Sequence, residues 1–168
     1  MRVKTMRSPR ACILAAAACG CLLAVAGFAA DHAPSGKYSP SGPATRWLDG
    51  PSGVTIKMLV EPSNLGGTEV EIGEITFPAG YKKSPAHGHA HVEMFYVLSG
   101  KLGHEVDGKL HVIEPGMVGI VRPGDRVVHS VQSDEPVRAL VIWAPAGEAD
   151  ALVKSGVFKS RAADASKP

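Results

Sequence analysis

The chain has 168 residues, 45% of them hydrophobic, with 18 lysines and arginines, 16 acidic residues and seven histidines. Its cysteines, Cys12, Cys19 and Cys21, all lie near the start, so the rest of the chain offers neither a thiolate nucleophile nor a thiolate metal ligand. Beyond the first ten residues there is no basic patch with interleaved aromatic residues, which argues against nucleic acid as a partner.

The first thirty residues differ in composition from the rest. Residues 1–10 carry four basic side chains, and residues 11–30 carry no charge. A basic start, an apolar middle and small residues at the end are typical of a secretory signal. Gly27 and Ala29 predict cleavage after Ala29, so we expect residues 1–29 to be a signal peptide and the protein to be exported, periplasmic or extracellular. An uncleaved membrane anchor and a lipoprotein box at residues 16–19 remain alternatives.

Without that leader, 139 residues remain, with 14 basic against 16 acidic side chains. This length suits one domain with one core. Residues 30–46 are rich in Ser, Gly and Pro and are expected to form a flexible lead-in. Residues 47–145 are expected to form the domain, and residues 146–168 a C-terminal helix and tail, with the helix at 148–154 and a polar tail from Ser160.

Short apolar runs recur through the domain and are separated by turn residues. The dipeptide Asp107-Gly108 between two of these runs is a strong hairpin signal. Many short strands at regular spacing predict an all-β sandwich or barrel. The predicted strands are residues 54–60, 70–77, 93–98, 102–106, 110–113, 118–121, 127–131 and 137–143.

A tract of histidines precedes one of these strands. Alternate residues of an extended chain share a face, so His87, His89, His91 and Glu93 can all project to one side. Imidazole and carboxylate groups bind divalent iron, manganese, nickel, copper or zinc, and two histidines with one carboxylate leave coordination positions open. The alternative is a solvated loop without function.

The tract also carries a family resemblance. Gly80, His87, His89, Glu93 and Gly100 resemble the first motif of the cupin superfamily, with one extra residue between Gly80 and His87. The resemblance covers roughly residues 54–143 of a small single-domain member. It implies a double-sheet antiparallel β-barrel of the jelly-roll kind and a metal held by His87, His89 and Glu93.

A looser second motif follows. Gly116, residues 122–124 and His129 resemble the second cupin motif, although Arg122 replaces the usual proline and four residues, where two are usual, separate Gly124 from His129. The resemblance implies that His129 is the fourth ligand. The alternative is a surface histidine of a turn.

The remaining histidines are interpreted differently. The family pattern does not use His91, so we expect it to support the site rather than to bind metal. His104 and His111 flank the predicted hairpin turn on edge-like strands and are expected to be exposed. Arg138 could face a pocket or solvent.

The resemblance implies dioxygenase-, decarboxylase- or isomerase-like activities. We therefore expect an exported single-domain cupin that binds one divalent transition metal and acts as a metalloenzyme on a small oxygenated organic molecule. The alternative is a non-catalytic small-molecule or metal-binding module. No catalytic residue beyond the ligands is identified. A homodimer, and contact with a membrane if the leader is uncleaved, remain open.

Overall fold

The computed structural model describes residues 42 and 44–163. The expected signal peptide, most of the lead-in and the end of the tail lie outside these residues. The described part contains two short helices, α1 (Pro62–Leu65) and α2 (Glu148–Lys154), a 3₁₀ turn at Pro51–Gly53, and ten strands. The strands are β1 (Arg46–Asp49), β2 (Thr55–Val60), β3 (Glu71–Phe77), β4 (Val92–Ser99), β5 (Leu102–Val106), β6 (Lys109–Ile113), β7 (Val118–Val121), β8 (Val127–Val131), β9 (Val137–Ala144) and β10 (Lys159–Ala162).

The strands form two antiparallel sheets. The larger sheet has the order β10-β1-β2-β3-β9-β4-β7, and the smaller has the order β6-β5-β8. All the strand pairs of both sheets are antiparallel. The predicted all-β double-sheet architecture is therefore confirmed. Among the described residues, no helix is long and apolar enough to cross a membrane.

The core lies on the inward faces of the strands, as period-2 alternation requires. Strand β3 alternates buried and half-buried residues along its whole length, ending with Ile75 and Phe77 inside. Its neighbour β9 alternates in the same way, with Val141 and Trp143 inside. Each of these large apolar side chains contributes roughly 1.5–3 kcal/mol to folding through burial. The core is continuous across both sheets, since Leu102 of the smaller sheet belongs to it.

Helix α2 spans the residues predicted for it, Glu148–Lys154. The buried carboxylate of Glu71 accepts a hydrogen bond of 3.1 Å from the backbone nitrogen of Ala149, in the helix's first turn. Asp150 forms an ion pair of 2.6 Å with Arg46 of β1. These contacts fix the start of the helix against the larger sheet.

The two ends of the domain differ from the sequence-based boundaries. Arg46, expected in the flexible lead-in, begins β1 and pairs with Met58 and Ala162. Residues 160–162, expected in a polar tail, belong to β10. All four residues of β10 are exposed, so the strand has no apolar alternation to reveal it. It forms because its backbone pairs with the edge of β1.

Candidate metal centre

The proposed ligands come from both sheets. His87 and His89 lie in the segment before β4, Glu93 lies on β4, and His129 lies on β8. The segment before β4 runs alongside β8, because His87 forms an antiparallel bridge with Val127. Ser84 reinforces this pairing, since its hydroxyl accepts a hydrogen bond of 2.9 Å from the backbone nitrogen of His129. The longer turn before His129 therefore does not remove it from the site.

The four side chains converge in the structure. His87, His89 and His129 each place one ring nitrogen within 4.8 Å of the others, an arrangement that could hold a metal ion. The Oε2 atom of Glu93 lies 3.2 Å from Nε2 of His89 and 3.5 Å from Nε2 of His129. Glu93 is thus in contact with two of the three imidazoles. His89, Glu93 and His129 are buried, and His87 is half-buried.

The second carboxylate oxygen of Glu93, Oε1, is fixed by a hydrogen bond. The indole nitrogen of Trp143 on β9 donates a hydrogen bond of 3.0 Å to Oε1 of Glu93, which leaves Oε2 facing the imidazoles. Burial of the Glu93 side chain raises its pKa, but the close contacts and charge of His129 and His89 outweigh that effect. The net result is a pKa well below the usual range, so the group is a carboxylate at neutral pH.

His89 is held by a second carboxylate. Its Nδ1 atom lies 3.0 Å from Oε1 of the buried Glu148, at the start of α2. Burial lowers the pKa of His89, but its hydrogen bond to Glu148, its contact with Glu93 and the negative charges of both carboxylates raise the pKa to about 10. In the metal-free protein, His89 is therefore protonated at neutral pH.

His87 is oriented by the backbone. Its Nδ1 atom lies 2.9 Å from the carbonyl oxygen of Pro85, so Nδ1 is the donor and Nε2 is left as the acceptor atom. Burial lowers the pKa of His87 despite this hydrogen bond, and neighbouring His129 and His89 lower it further. A neutral imidazole with a free Nε2 is the form that binds a metal.

The donor atoms fit a divalent ion. Nε2 of His89 and Oε2 of Glu93 are both buried, and they face each other without forming a hydrogen bond of good geometry. Their separation of 3.2 Å is of the size expected between two ligands that each lie about 2.0–2.2 Å from one ion. Nδ1 of His129 is also buried without a partner in the described chain. Unpartnered buried polar atoms are costly, and a bound cation would satisfy those that face it.

His91 lies outside the cluster and contacts its support. Its Nδ1 atom lies 3.4 Å from Oε2 of Glu148, the carboxylate that also holds His89. His91 thus reaches the proposed ligands only through Glu148, and its supporting role stays a prediction. Glu148 itself was not recognised in the sequence. A carboxylate at the start of the predicted helix was the only signal available, and it is weak.

The expectation for His104 was wrong. This residue is buried, and its ring centroid lies 4.9 Å from that of His129 and 5.0 Å from that of Phe95. Burial, with a smaller contribution from nearby His129, lowers the pKa of His104 to about 3, so the ring is neutral. Its strand β5 lies between β6 and β8 and is therefore not an edge strand. His111 on the outer strand β6 is exposed, as expected.

Arg138 has no role at the site. It is exposed on β9, and its guanidinium forms an ion pair of 2.7 Å with Glu74 on the neighbouring strand. The side chain therefore points to solvent.

A cavity of about 280 Å³ adjoins the proposed ligands. His87, His89, Glu93 and His129 form part of its wall, together with Glu148. Most of the remaining wall is hydrocarbon. Its aromatic residues are Phe77, Tyr81, Phe95, Trp143 and Phe158, and its aliphatic ones are Val54, Ile56, Ile75, Leu152 and Val157.

Comparisons with known proteins agree with this geometry. The Cupin_2 family model, a cupin domain, matches residues 73–143. Among solved structures, a predicted oxalate decarboxylase from Thermotoga maritima gives a TM-score of 0.54 at 16% identity, covering 65% of this chain and 99% of that one. KdgF from Halomonas sp. gives a TM-score of 0.53 at 15% identity, covering 62% and 89%. These likenesses concern the fold alone. A search of curated proteins finds no match. Over residues 73–143 the chain is therefore similar to a cupin domain, with metal-capable histidines inside a double-sheet fold.

Proposed function

We propose that this protein is an exported metalloenzyme that binds one divalent transition metal through His87, His89, Glu93 and His129. Its substrate is a small oxygenated organic molecule bound in the adjoining cavity. The observation that carries the proposal is the convergence of three imidazoles within 4.8 Å at the wall of a 280 Å³ cavity. A cavity of this size suits a small molecule rather than a polymer.

The ligand set favours an active rather than a structural metal. When bound, a divalent ion would polarise a substrate oxygen and, if redox-active, would support dioxygen chemistry. For an ion that takes five or six ligands, three histidines and one carboxylate leave coordination positions open, whereas four-coordinate structural sites are closed. Other groups of the chain orient the proposed ligands. Glu148 contacts His89, Trp143 donates a hydrogen bond to Glu93, and the carbonyl of Pro85 accepts one from His87.

The test begins with metal content. Protein purified without oxygen after expression in metal-replete medium should contain about one divalent ion per chain by elemental analysis. The loaded protein should then be screened for oxygen uptake and for conversion of small phenols, keto acids and dicarboxylates. Metal-free protein would contradict the metal site, and stoichiometric metal without any turnover would favour the second candidate function.

That second candidate is a non-catalytic binding module. Apart from the proposed ligands, the titratable groups that line the described cavity are Tyr81 and Glu148. Glu148 is already engaged with His89 and His91, and burial raises the pKa of Tyr81 further above neutrality. Neither is an evident proton donor or acceptor for a substrate at pH 7.

Export and oligomeric state rest on separate grounds. The basic and apolar leader supports export, with cleavage after Ala29, and N-terminal sequencing of the secreted protein would test it. The homodimer stays a prediction, for which sedimentation equilibrium is the test.

A further inference from the structure

The cavity beside the proposed metal centre is lined mostly by apolar side chains, whereas the proposed metal ligands are polar. Five aromatic side chains line it, and three of them form a continuous group, in which Phe77 lies 5.4 Å from Tyr81 and 6.4 Å from Phe95 between ring centroids. The volume of about 280 Å³ is nearly twice the roughly 150 Å³ that accommodates benzene in an engineered apolar cavity. One ring with substituents therefore fits.

Apart from His89, whose charge in the metal-free protein is paired with Glu93 and Glu148, the cavity offers no positive side chain to a substrate. Among the described residues that line it, none is a lysine or an arginine. Two basic groups of the domain are engaged elsewhere: Arg46 pairs with Glu61 and Asp150, and Arg126 donates to the carbonyl of Ala86. A negative group of a substrate, away from the metal, would lose its hydration without a partner.

A positively charged group of a substrate would also lack a free partner in the cavity. The carboxylates in the wall are Glu93 and Glu148, and both have partners: Glu93 contacts Trp143 and His89, and Glu148 contacts His89 and His91. Burying an unpaired charge of either sign is expensive, whereas burying hydrocarbon against these walls is favourable.

We infer that the substrate is a neutral, mostly hydrocarbon molecule that carries an oxygen donor at one end, with a phenol as its simplest form. The oxygen faces the metal centre, and the ring or chain fills the space bounded by Val54, Ile75 and the aromatic group. Only the placement of the substrate oxygen rests on the proposed function, because it requires a bound metal. The preference for a hydrocarbon body rests on the apolar walls of the cavity.

Three phenols of nearly equal shape test the inference. 4-tert-Butylphenol is neutral, 4-(trimethylammonio)phenol replaces its tetrahedral carbon with a cation, and 4-hydroxybenzenesulfonate replaces it with an anion. None of the three changed groups is a strong metal ligand. Binding to the zinc-loaded protein is measured by isothermal titration calorimetry at pH 7, so no turnover is required. We expect the neutral phenol to bind at least about tenfold more tightly than either charged one.

Two variants locate the binding to the cavity. Val54 is a buried wall residue, so Val54→Phe should weaken 4-tert-butylphenol binding at least about tenfold, while Val112→Phe, at an exposed position on β6, should not. Val157 lines the cavity but is 52% exposed, so Val157→Arg should fold. The added cation should reduce the difference in affinity between 4-tert-butylphenol and 4-hydroxybenzenesulfonate. Unchanged binding in both cavity variants would overturn the inference.

The outcomes separate this inference from the proposed function. If zinc is held stoichiometrically and a charged phenol binds as tightly as the neutral one, the substrate class is wrong although the metal site stands. If zinc is not held, the metal proposal fails, and the same three phenols are titrated into the metal-free protein. If the metal-free protein prefers the neutral phenol, the inference of a neutral, mostly hydrocarbon ligand is still supported. If it shows no such preference, that inference is overturned.

Discussion

The imidazole of His89 and the carboxylate of Glu148 form a buried pair, with Nδ1 and Oε1 3.0 Å apart. The pair joins the segment before β4 to the first turn of α2, 59 residues later in the chain. It fixes the ring so that Nε2 faces Glu93. A carboxylate behind a metal-binding histidine orients the ring and increases its basicity. The C-terminal helix is therefore part of the proposed metal centre rather than an appendage.

The first prediction concerns this support. Glu148→Gln should lower zinc affinity by roughly 10- to 100-fold, because the amide cannot hold the imidazole as the carboxylate does. Affinity is measured by competition with a chromophoric chelator. Asp150→Asn is the matched control, since it makes the same change on the same helix but at an exposed position that contacts Arg46. Equal affinities in both variants would show that Glu148 does not support the site.

The second prediction concerns the ligands. His89→Ala or Glu93→Ala should abolish stoichiometric metal and remove the stabilisation that metal provides. A ligand at 100 times its Kd stabilises the folded state by about 2.7 kcal/mol, which corresponds to a shift of several degrees in Tm. Elemental analysis and thermal unfolding with and without zinc provide the measurements. His111→Ala, at an exposed histidine, should behave as the unmodified protein.

The third prediction compares His129 with His91. His129→Ala should still bind zinc through His87, His89 and Glu93, but with an affinity reduced by more than the roughly 10- to 100-fold typical of supporting residues. His91→Ala should be milder, because His91 contacts the site only through Glu148. A larger loss in His91→Ala than in His129→Ala would mean that the two roles have been exchanged.

Much of the fold could be predicted because its inner strands are strongly patterned. Each of the eight apolar runs became a strand whose ends differ from the prediction by at most one residue. The strands that the sequence did not reveal are β1 and β10, each of four residues. They lie at one edge of the larger sheet, and each is too short to show an apolar alternation in the sequence, although Leu48 of β1 is buried in the core.

The site was predictable only where its residues are close in sequence. His87, His89 and Glu93 stand within one short tract, and spacing alone indicates a shared face. Glu148 and His104 have no such signal, because the topology decides their neighbours. His104 lies opposite His129 on a paired strand, and this register cannot be seen without knowing that β5 lies between β6 and β8.

The fourth prediction concerns His104. Its Nε2 atom is buried and has no hydrogen-bond partner in the described part of the chain, so the native imidazole gains little from its polarity. His104→Leu should leave zinc affinity within about threefold and should leave Tm unchanged or higher, since removing an unsatisfied polar group can be neutral or stabilising. Equilibrium zinc titration and calorimetric unfolding give the two values. A loss of bound zinc would instead place His104 among the ligands.

The last prediction concerns the pH dependence of metal binding. The pKa of His89 in the metal-free protein is raised to about 10, so below that pH the metal must displace a proton from this ring. The pKa of His87 is lowered, so that ring adds little to the proton count at neutral pH. Binding should therefore release about one proton, and zinc affinity should rise about tenfold per pH unit between pH 6.5 and 8.5. Calorimetric titrations in buffers of different ionisation enthalpy count the protons. An affinity that is flat across this range would refute protonation of His89, and metal retained down to pH 4 would argue against histidine ligation altogether.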